Sequence, residues 1–314
     1  MHISLKEGMG IMMRKSVFAS IAAIVSVLVM GFALFFLVIK EEALSGDVAS
    51  ETGASEKVDE YAHIQPPSLE EVPEGKVGEL IKLGYSYLND TASTLDGYVG
   101  NTLSCSSCHA NGGVGGALDF VGVTKTYPMY NPRAGKEVTI EDRINGCFRR
   151  SMNGQPLPKE GEELKAMVAY LEYISQNVPD GTTERPWAKL AKIEGELKPN
   201  VENGREIYQA ACISCHGENG EGVNGQLAVW GENSYNIGAG MTRLRTAGGF
   251  IKSFMPKVTT GGYELGSLTD QEAIDIAAYL NSHERPDFPD KIHDWPNGDA
   301  PDDVAYETLA NPKK

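Results

Sequence analysis

At 314 residues and 33.9 kDa the chain is long enough for two domains, and its 41% hydrophobic and 23% charged content is that of an ordinary globular protein. A wholly disordered, collagen-like or multi-span membrane chain is excluded. The 28 Lys and Arg against 43 Asp and Glu give a formal net charge of −15, which opposes nucleic acid or another polyanion as partner, and five cysteines leave at least one thiol outside any intrachain pair.

From Ser16 to Ile39 there are 24 residues without a charge. At 1.5 Å per residue this stretch crosses a hydrocarbon core of ~30 Å. Arg14 and Lys15 precede it, and Lys40 is followed at once by Glu41 and Glu42, so residues 1–40 are expected to form a cytoplasmic N-terminus and a single transmembrane anchor. The bulk of the chain would then lie on the extracytoplasmic, periplasmic or outer face. A cleaved signal peptide is the rival, with Ala43-Leu44-Ser45 before Gly46 as its cleavage site; it puts the bulk on the same side. Residues 41–75, with Pro66-Pro67 and Pro73, read as a flexible linker, and His63 within it as a solvated side chain.

Cys105-Ser106-Ser107-Cys108-His109 and Cys212-Ile213-Ser214-Cys215-His216 are two copies of Cys-x-x-Cys-His, 107 residues apart. In this pattern two thiols form thioethers to a haem and the adjacent His reaches the iron. A redox dithiol or half a zinc site would explain one Cys-x-x-Cys, but neither explains the His in both copies. Two covalently bound haem c groups are therefore expected, on Cys105, Cys108 and His109 and on Cys212, Cys215 and His216.

The surroundings repeat as well. Gly78 to Leu88, with Leu80, Leu83, Tyr87 and Leu88 at helical spacing, leads toward the first motif, and Val201 to Tyr208, with Ile207 and Ala211 on one face, leads into the second. A later amphipathic helix closes each half, carrying Leu164, Met167, Val168, Leu171 and Ile174 in the first and Ala273, Ile276, Ala277 and Leu280 in the second. Thr269 with Glu272 forms a capping box at the start of the latter. The arrangement resembles the class I cytochrome c fold, present twice in a mostly α chain. Its expected bounds are 76–178 and 201–285, with a connection over the surface at 179–200 and a Pro- and Asp-rich tail at 286–314.

A haem of this type takes its sixth ligand from the loop before the last helix, most often Met. Met255 lies 39 residues after His216 and 23 before Ala278. Met241 comes too early in the repeat and reads as a gap filler. In the first half, 39 residues after His109 falls on Phe148, next to Cys147, which is 22 residues before Ala169. The fifth cysteine thus stands where the second half has its methionine, with Met152 or Met129 as the alternative ligand.

Thr139 before Ile140 reads as a capped helix start, after which Ile140, Ile144, Cys147 and Phe148 share a face. Arg143 and Ser151, four residues either side of Cys147, flank the sulfur. Arg149 and Arg150 follow, and Arg133 lies upstream. Guanidinium groups beside a reactive sulfur suit a small oxyanion; the alternative is a solvated face paired with Glu137, Glu141 and Asp142.

Over roughly residues 75 to 285 the sequence resembles the dihaem thiosulfate dehydrogenases, which couple two thiosulfates into tetrathionate. The most specific segment is Arg143-Ile144-Asn145-Gly146-Cys147-Phe148-Arg149-Arg150-Ser151-Met152-Asn153-Gly154. The resemblance implies that Cys147 is both axial ligand and catalytic sulfur, with Arg133, Arg143 and Ser151 holding substrate oxygens. It also implies a cytochrome or terminal oxidase as electron acceptor. Some relatives carry a Lys beside the second Met that exchanges with it; here Phe254 and Pro256 flank Met255, so that exchange is not carried over, although Lys252 and Lys257 are near. A dihaem electron carrier without a substrate is the rival reading, as is a Cys-ligated haem protein acting on a carrier-protein cysteine. The direction, thiosulfate oxidation or tetrathionate reduction, stays open.

Overall fold

The structure, a computed structural model of the chain, describes residues 64–115, 118–196 and 198–312; the expected anchor, most of the linker and His63 lie outside the described residues. Among the described residues no helix is long and apolar enough to cross a membrane.

The first half holds α1 (Lys76–Asn89), a short antiparallel hairpin of β1 (Met129–Asn131) and β2 (Lys136–Val138), α2 (Ile140–Arg150) and α3 (Glu162–Ser175). The second holds α4 (Val201–Ala211), α5 (Leu244–Phe254) and α6 (Asp270–Asn281). In each half the first helix packs on the last, α1 on α3 and α4 on α6.

Both crossings are made on glycine. A Cβ on Gly84 of α1 would lie 1.9 Å from the Ala166 carbonyl oxygen, and one on Gly204 of α4 would lie 2.0 Å from the Asp275 carbonyl oxygen. This close approach turns α1 away from the face its leucines suggested. Gly78, Ile81, Gly84 and Leu88 are the buried residues, while Leu80, Leu83 and Tyr87 are half-buried. Glycine adds nothing to a hydropathy count, so the face set by backbone contact is invisible to it. In α4 the same logic buries Gly204, Ile207, Tyr208 and Ala211.

The helix starts follow their caps. Thr139 accepts from the Asp142 N–H at the head of α2, and Thr269 from the Glu272 N–H at the head of α6, each with the reciprocal carboxylate contact. Asp275, 1% exposed on α6, accepts from Asn200 N at 2.8 Å, Asn203 Nδ2 at 2.7 Å and Gln271 Nε2 at 2.7 Å, which fixes the head of α4 against α6. Leu88, Phe148, Met167 and Tyr170 belong to one core, and Ile207, Ile251 and Ile276 to another; Met241 packs against both.

Two segments outside the expected cytochrome domains are partly interior. In the connection, Ile193 is buried and Trp187 Nε1 donates to Val121 O at 3.1 Å. The C-terminal tail folds back as a belt: Trp295 N donates to Arg133 O at 2.9 Å, Leu309 N to Ile292 O at 2.8 Å, and Trp295 and Tyr306 are buried. An aromatic pair gives this otherwise Pro- and Asp-rich segment something to bury.

Gly204→Ala and Gly84→Ala should each lower the denaturant midpoint, because prising two helices apart costs about 1–3 kcal/mol against a gain in helix propensity of about 1 kcal/mol. Gly146→Ala on α2, whose Cβ would meet nothing within 4 Å, should raise it.

Candidate functional site

The first Cys-x-x-Cys-His begins as a single 3₁₀ turn, Cys105–Ser107, and Cys105 is fixed by buried Thr91, whose Oγ1 accepts from Cys105 N at 3.0 Å. His109 Nδ1 donates to Leu118 O at 2.7 Å, leaving Nε2 free. Burial pushes this imidazole down to about 4, so it is neutral near pH 7. In the second copy Cys212 ends α4, and His216 Nδ1 donates to Leu227 O at 2.9 Å, with its pKa likewise lowered by burial. Two thiols and a neutral, oriented imidazole per half are the donor set of haem c, so the residues fit that group.

Beside the first copy is a cavity of about 340 Å³ lined by Cys105, Cys108, His109 and, from α2, Ile140, Ile144, Cys147 and Phe148. Arg143 Nη1 donates to Cys147 Sγ at 2.7 Å from one turn earlier on the same helix. The Arg143 guanidinium lies deep in the protein yet faces the open cavity, and it is held more strongly protonated by the Cys147 sulfur and by Tyr127. Arg185, from the connection, also lines this cavity and donates to Asp119 O at 2.7 Å.

The methionines separate by position. Met129 is 44% exposed on β1; Met152 is 3% exposed and lines the first cavity near Cys147. Met241 lines that cavity too. Met255 sits just past the C-terminus of α5 in extended backbone and packs on the second core. Lys252 is paired with Asp270, whereas the Lys257 charge acts on both the His216 imidazole and the Cys108 thiol.

A second, outer cleft of about 870 Å³ meets the first cavity; Arg143, Cys147, Ser151, Gly240 and Arg243 line both. Cys147 therefore stands at the junction, reached from one side by the attachment motif and from the other by solvent. Arg133 lies only in the outer cleft. Its Nη1 donates to Gly238 O at 2.8 Å, its guanidinium sits 4.7 Å from the Trp295 ring centroid, and burial lowers it to about 10. Arg150 makes a bidentate pair with Asp294 at 2.9 and 2.7 Å and lies over Phe288, and Tyr306 donates to the same carboxylate at 2.6 Å. Arg149 is exposed on the cleft rim, and Asp142, one of the three carboxylates named as partners in the alternative reading of the arginine cluster, is paired with Lys159 at 3.1 Å.

The C-terminal end of α2 is held by polar side chains from both halves. Asn101 Nδ2 donates to Ser151 O at 2.8 Å, and Asn236 donates to Arg149 O through Nδ2 at 2.8 Å and to Arg150 O through its backbone N at 3.2 Å. These bonds satisfy carbonyls that a helix end leaves open and so fix the helix that carries Cys147. Asp294, Trp295, Tyr306, Asn236 and Arg243 were not singled out by sequence reasoning. Trp295 and Tyr306 in a polar tail were the available signal for the belt; Arg243 had none.

Residues 98–179 match the family model described as the SoxA/TsdA cytochrome c domain, and residues 201–284 match that of cytochrome c. These matches and the mostly helical fold make the chain a tandem c-type cytochrome. A thiosulfate dehydrogenase of Psychrobacter arcticus is 38% identical over 83% of this chain and 80% of its own length. One of Allochromatium vinosum is 39% identical over 73% of this chain and 86% of its own. The solved thiosulfate dehydrogenase (TsdBA) of Marichromatium purpuratum superposes with a TM-score of 0.68 at 33% identity; it covers 74% of this chain, which spans about half (52%) of that longer one. The chain belongs to the thiosulfate dehydrogenase family.

Asp294→Ala should cost about 3–5 kcal/mol of stability, because it strands the Arg150 charge in a buried setting, whereas Glu184→Ala, which breaks an exposed pair with Lys189, should leave the unfolding midpoint almost unmoved. Denaturant melts of the two variants against the parent measure the difference.

Proposed function

We propose that this protein is an extracytoplasmic dihaem thiosulfate dehydrogenase that joins two thiosulfate dianions into tetrathionate and passes two electrons to a cytochrome or terminal oxidase. The observation that carries the reading is Cys147, hydrogen-bonded by Arg143 and lining both the cavity of the first attachment motif and an arginine-rich cleft. An electron carrier needs no such cleft.

Cys105, Cys108 and His109 would hold one haem and Cys212, Cys215 and His216 the other, with Cys147 and Met255 as the sixth ligands. Each haem, once bound, accepts one electron, so two match the demand of joining two sulfurs. A thiolate ligand lowers a potential that a Met raises, so the two sites would differ.

The chain's own residues supply the rest. Arg143 and Ser151 flank the Cys147 sulfur and orient the first thiosulfate, while charge-assisted bonds from guanidinium groups offset repulsion between anions. The Cys147 thiolate and the thiosulfate sulfane sulfur form an S–S bond, giving a Cys147-S-S-sulfonate adduct and two electrons. The sulfane sulfur of a second thiosulfate attacks the adduct sulfur that bears the sulfonate, tetrathionate leaves, and the Cys147 thiolate is regenerated. The same steps reversed reduce tetrathionate, and the potentials of the two sites set the direction.

Cys147→Ala should keep both haems and lose thiosulfate-dependent ferricyanide reduction by about a thousandfold or more, as expected for removal of a nucleophile. A variant that turns over at the parent rate overturns the mechanism, and a parent protein that reduces no ferricyanide with thiosulfate leaves the electron-carrier reading. The charge-free stretch at 16–39 would tether the protein to the membrane. The full chain should then fractionate with membranes until detergent is added, and a chain lacking residues 1–40 should not.

A further inference from the structure

Two arginines of the cleft already have a side-chain partner. Asp294 closes Arg150, and Arg143 donates to Cys147. Arg133 has a backbone carbonyl, Gly238 O, and the Trp295 ring, and among the described residues no carboxylate forms an ion pair with it. Arg243 has less. Its Nε is buried with no acceptor, and among the described residues nothing accepts a hydrogen bond from its guanidinium. A buried charged donor without an acceptor is costly, so a fold that retains one points to an acceptor from outside the chain.

Position narrows what that acceptor is. Arg243 belongs to the second half, as the residue that opens α5, yet it lines both the inner cavity and the outer cleft, as Cys147, Arg143 and Ser151 do. Its charge also acts on Arg133, opposing protonation there together with Arg150. Two cations that repel each other and lack carboxylates, next to a reactive sulfur, suit a ligand with more than one negative charge.

The proposed reaction needs two such ligands in turn, and Arg143 with Ser151 accounts for the first. We infer that Arg243, together with Arg133, binds the sulfonate of the second thiosulfate and so aims its terminal sulfur at the Cys147 adduct. This rests on the functional reading above and adds that the substrate site is shared between the two cytochrome domains. The competing acceptor for Arg243 is a porphyrin carboxylate in the inner cavity.

The test uses the holoprotein as parent, Arg243→Gln and Arg243→Lys, with steady-state thiosulfate oxidation by ferricyanide, calorimetric thiosulfate binding and reductive titration of the haems. Arg243→Gln should raise KM and weaken thiosulfate binding by about tenfold or more, as for a lost charge-assisted bond, and should lower kcat because the second thiosulfate is no longer aimed, with haem potentials unmoved. Arg243→Lys should recover most of the loss. Unchanged KM and binding overturn the inference, and a shift in potential without a change in KM reassigns Arg243 to the porphyrin carboxylate. A parent that binds thiosulfate without oxidising it fails the functional reading alone, and the calorimetry still decides Arg243.

Discussion

The buried pair of Arg150 with Asp294 sets the conditions under which the cleft exists. Several guanidinium groups approach one another around Cys147, and without a counter-charge they would drive the walls apart. Asp294 neutralises Arg150 in bidentate geometry, is itself held by Tyr306, and is 4% exposed. Removing either partner would strand the other, so the pair specifies the geometry more than it adds to net stability. The C-terminal belt contributes Asp294, Tyr306, the Trp295 ring under Arg133 and the Phe288 ring under Arg150, and is thus a wall of the cleft. With Arg150 neutralised, Arg133, Lys136, Arg143, Arg149 and Arg243 remain as positive charge around the cleft, against Asp142, Asp290 and Asp299. At physiological ionic strength fields fade over about 8 Å, so a small anion in the cleft feels these groups rather than the −15 of the whole chain.

The two halves share devices that no composition count detects. A glycine lets the first helix touch the last, and the first nitrogen of each motif histidine is tied to a leucine carbonyl, Leu118 or Leu227, so that the other is left to coordinate. The halves part at the sixth-ligand position. Helices α2 and α5 both have 11 residues, yet α2 begins 31 residues after His109 and α5 begins 28 after His216. Cys147 consequently lies inside α2, one turn from Arg143, whereas Met255 lies just beyond α5 in extended backbone. Equal spacing along the chain conceals unequal local structure. A helical cysteine acquires a guanidinium neighbour from its own helix; a methionine in extended chain does not.

What was legible followed from local rules. The caps at Thr139 and Thr269 are short-range patterns, and Cys-x-x-Cys-His is a contiguous motif, so both are readable without the fold. The offset between halves singled out Cys147 because it compares the chain with itself. What was not legible depends on contacts distant in sequence. Arg133 and Gly238 are 105 residues apart, and Arg150 and Asp294 are 144 apart. The buried face of α1 is set in part by Gly84, which a count of leucines does not register. Arg243 carries no motif, and its meaning comes only from what surrounds it.

Helix α5 joins the two halves of the chemistry. Arg243 opens it and Met255 follows it, so 11 residues, about 16 Å of helix, separate a wall of the Cys147 junction from the expected ligand of the second haem. Its buried face, Ala247, Gly248, Phe250 and Ile251, holds it rigidly in the second half, and Met241 just before it packs on both cores. The loop at 231–238 ties the same half to the end of α2 through Asn236. The second domain therefore shapes the cleft at Cys147, and an isolated first domain would lack Arg243, Gly238, Asn236 and the belt.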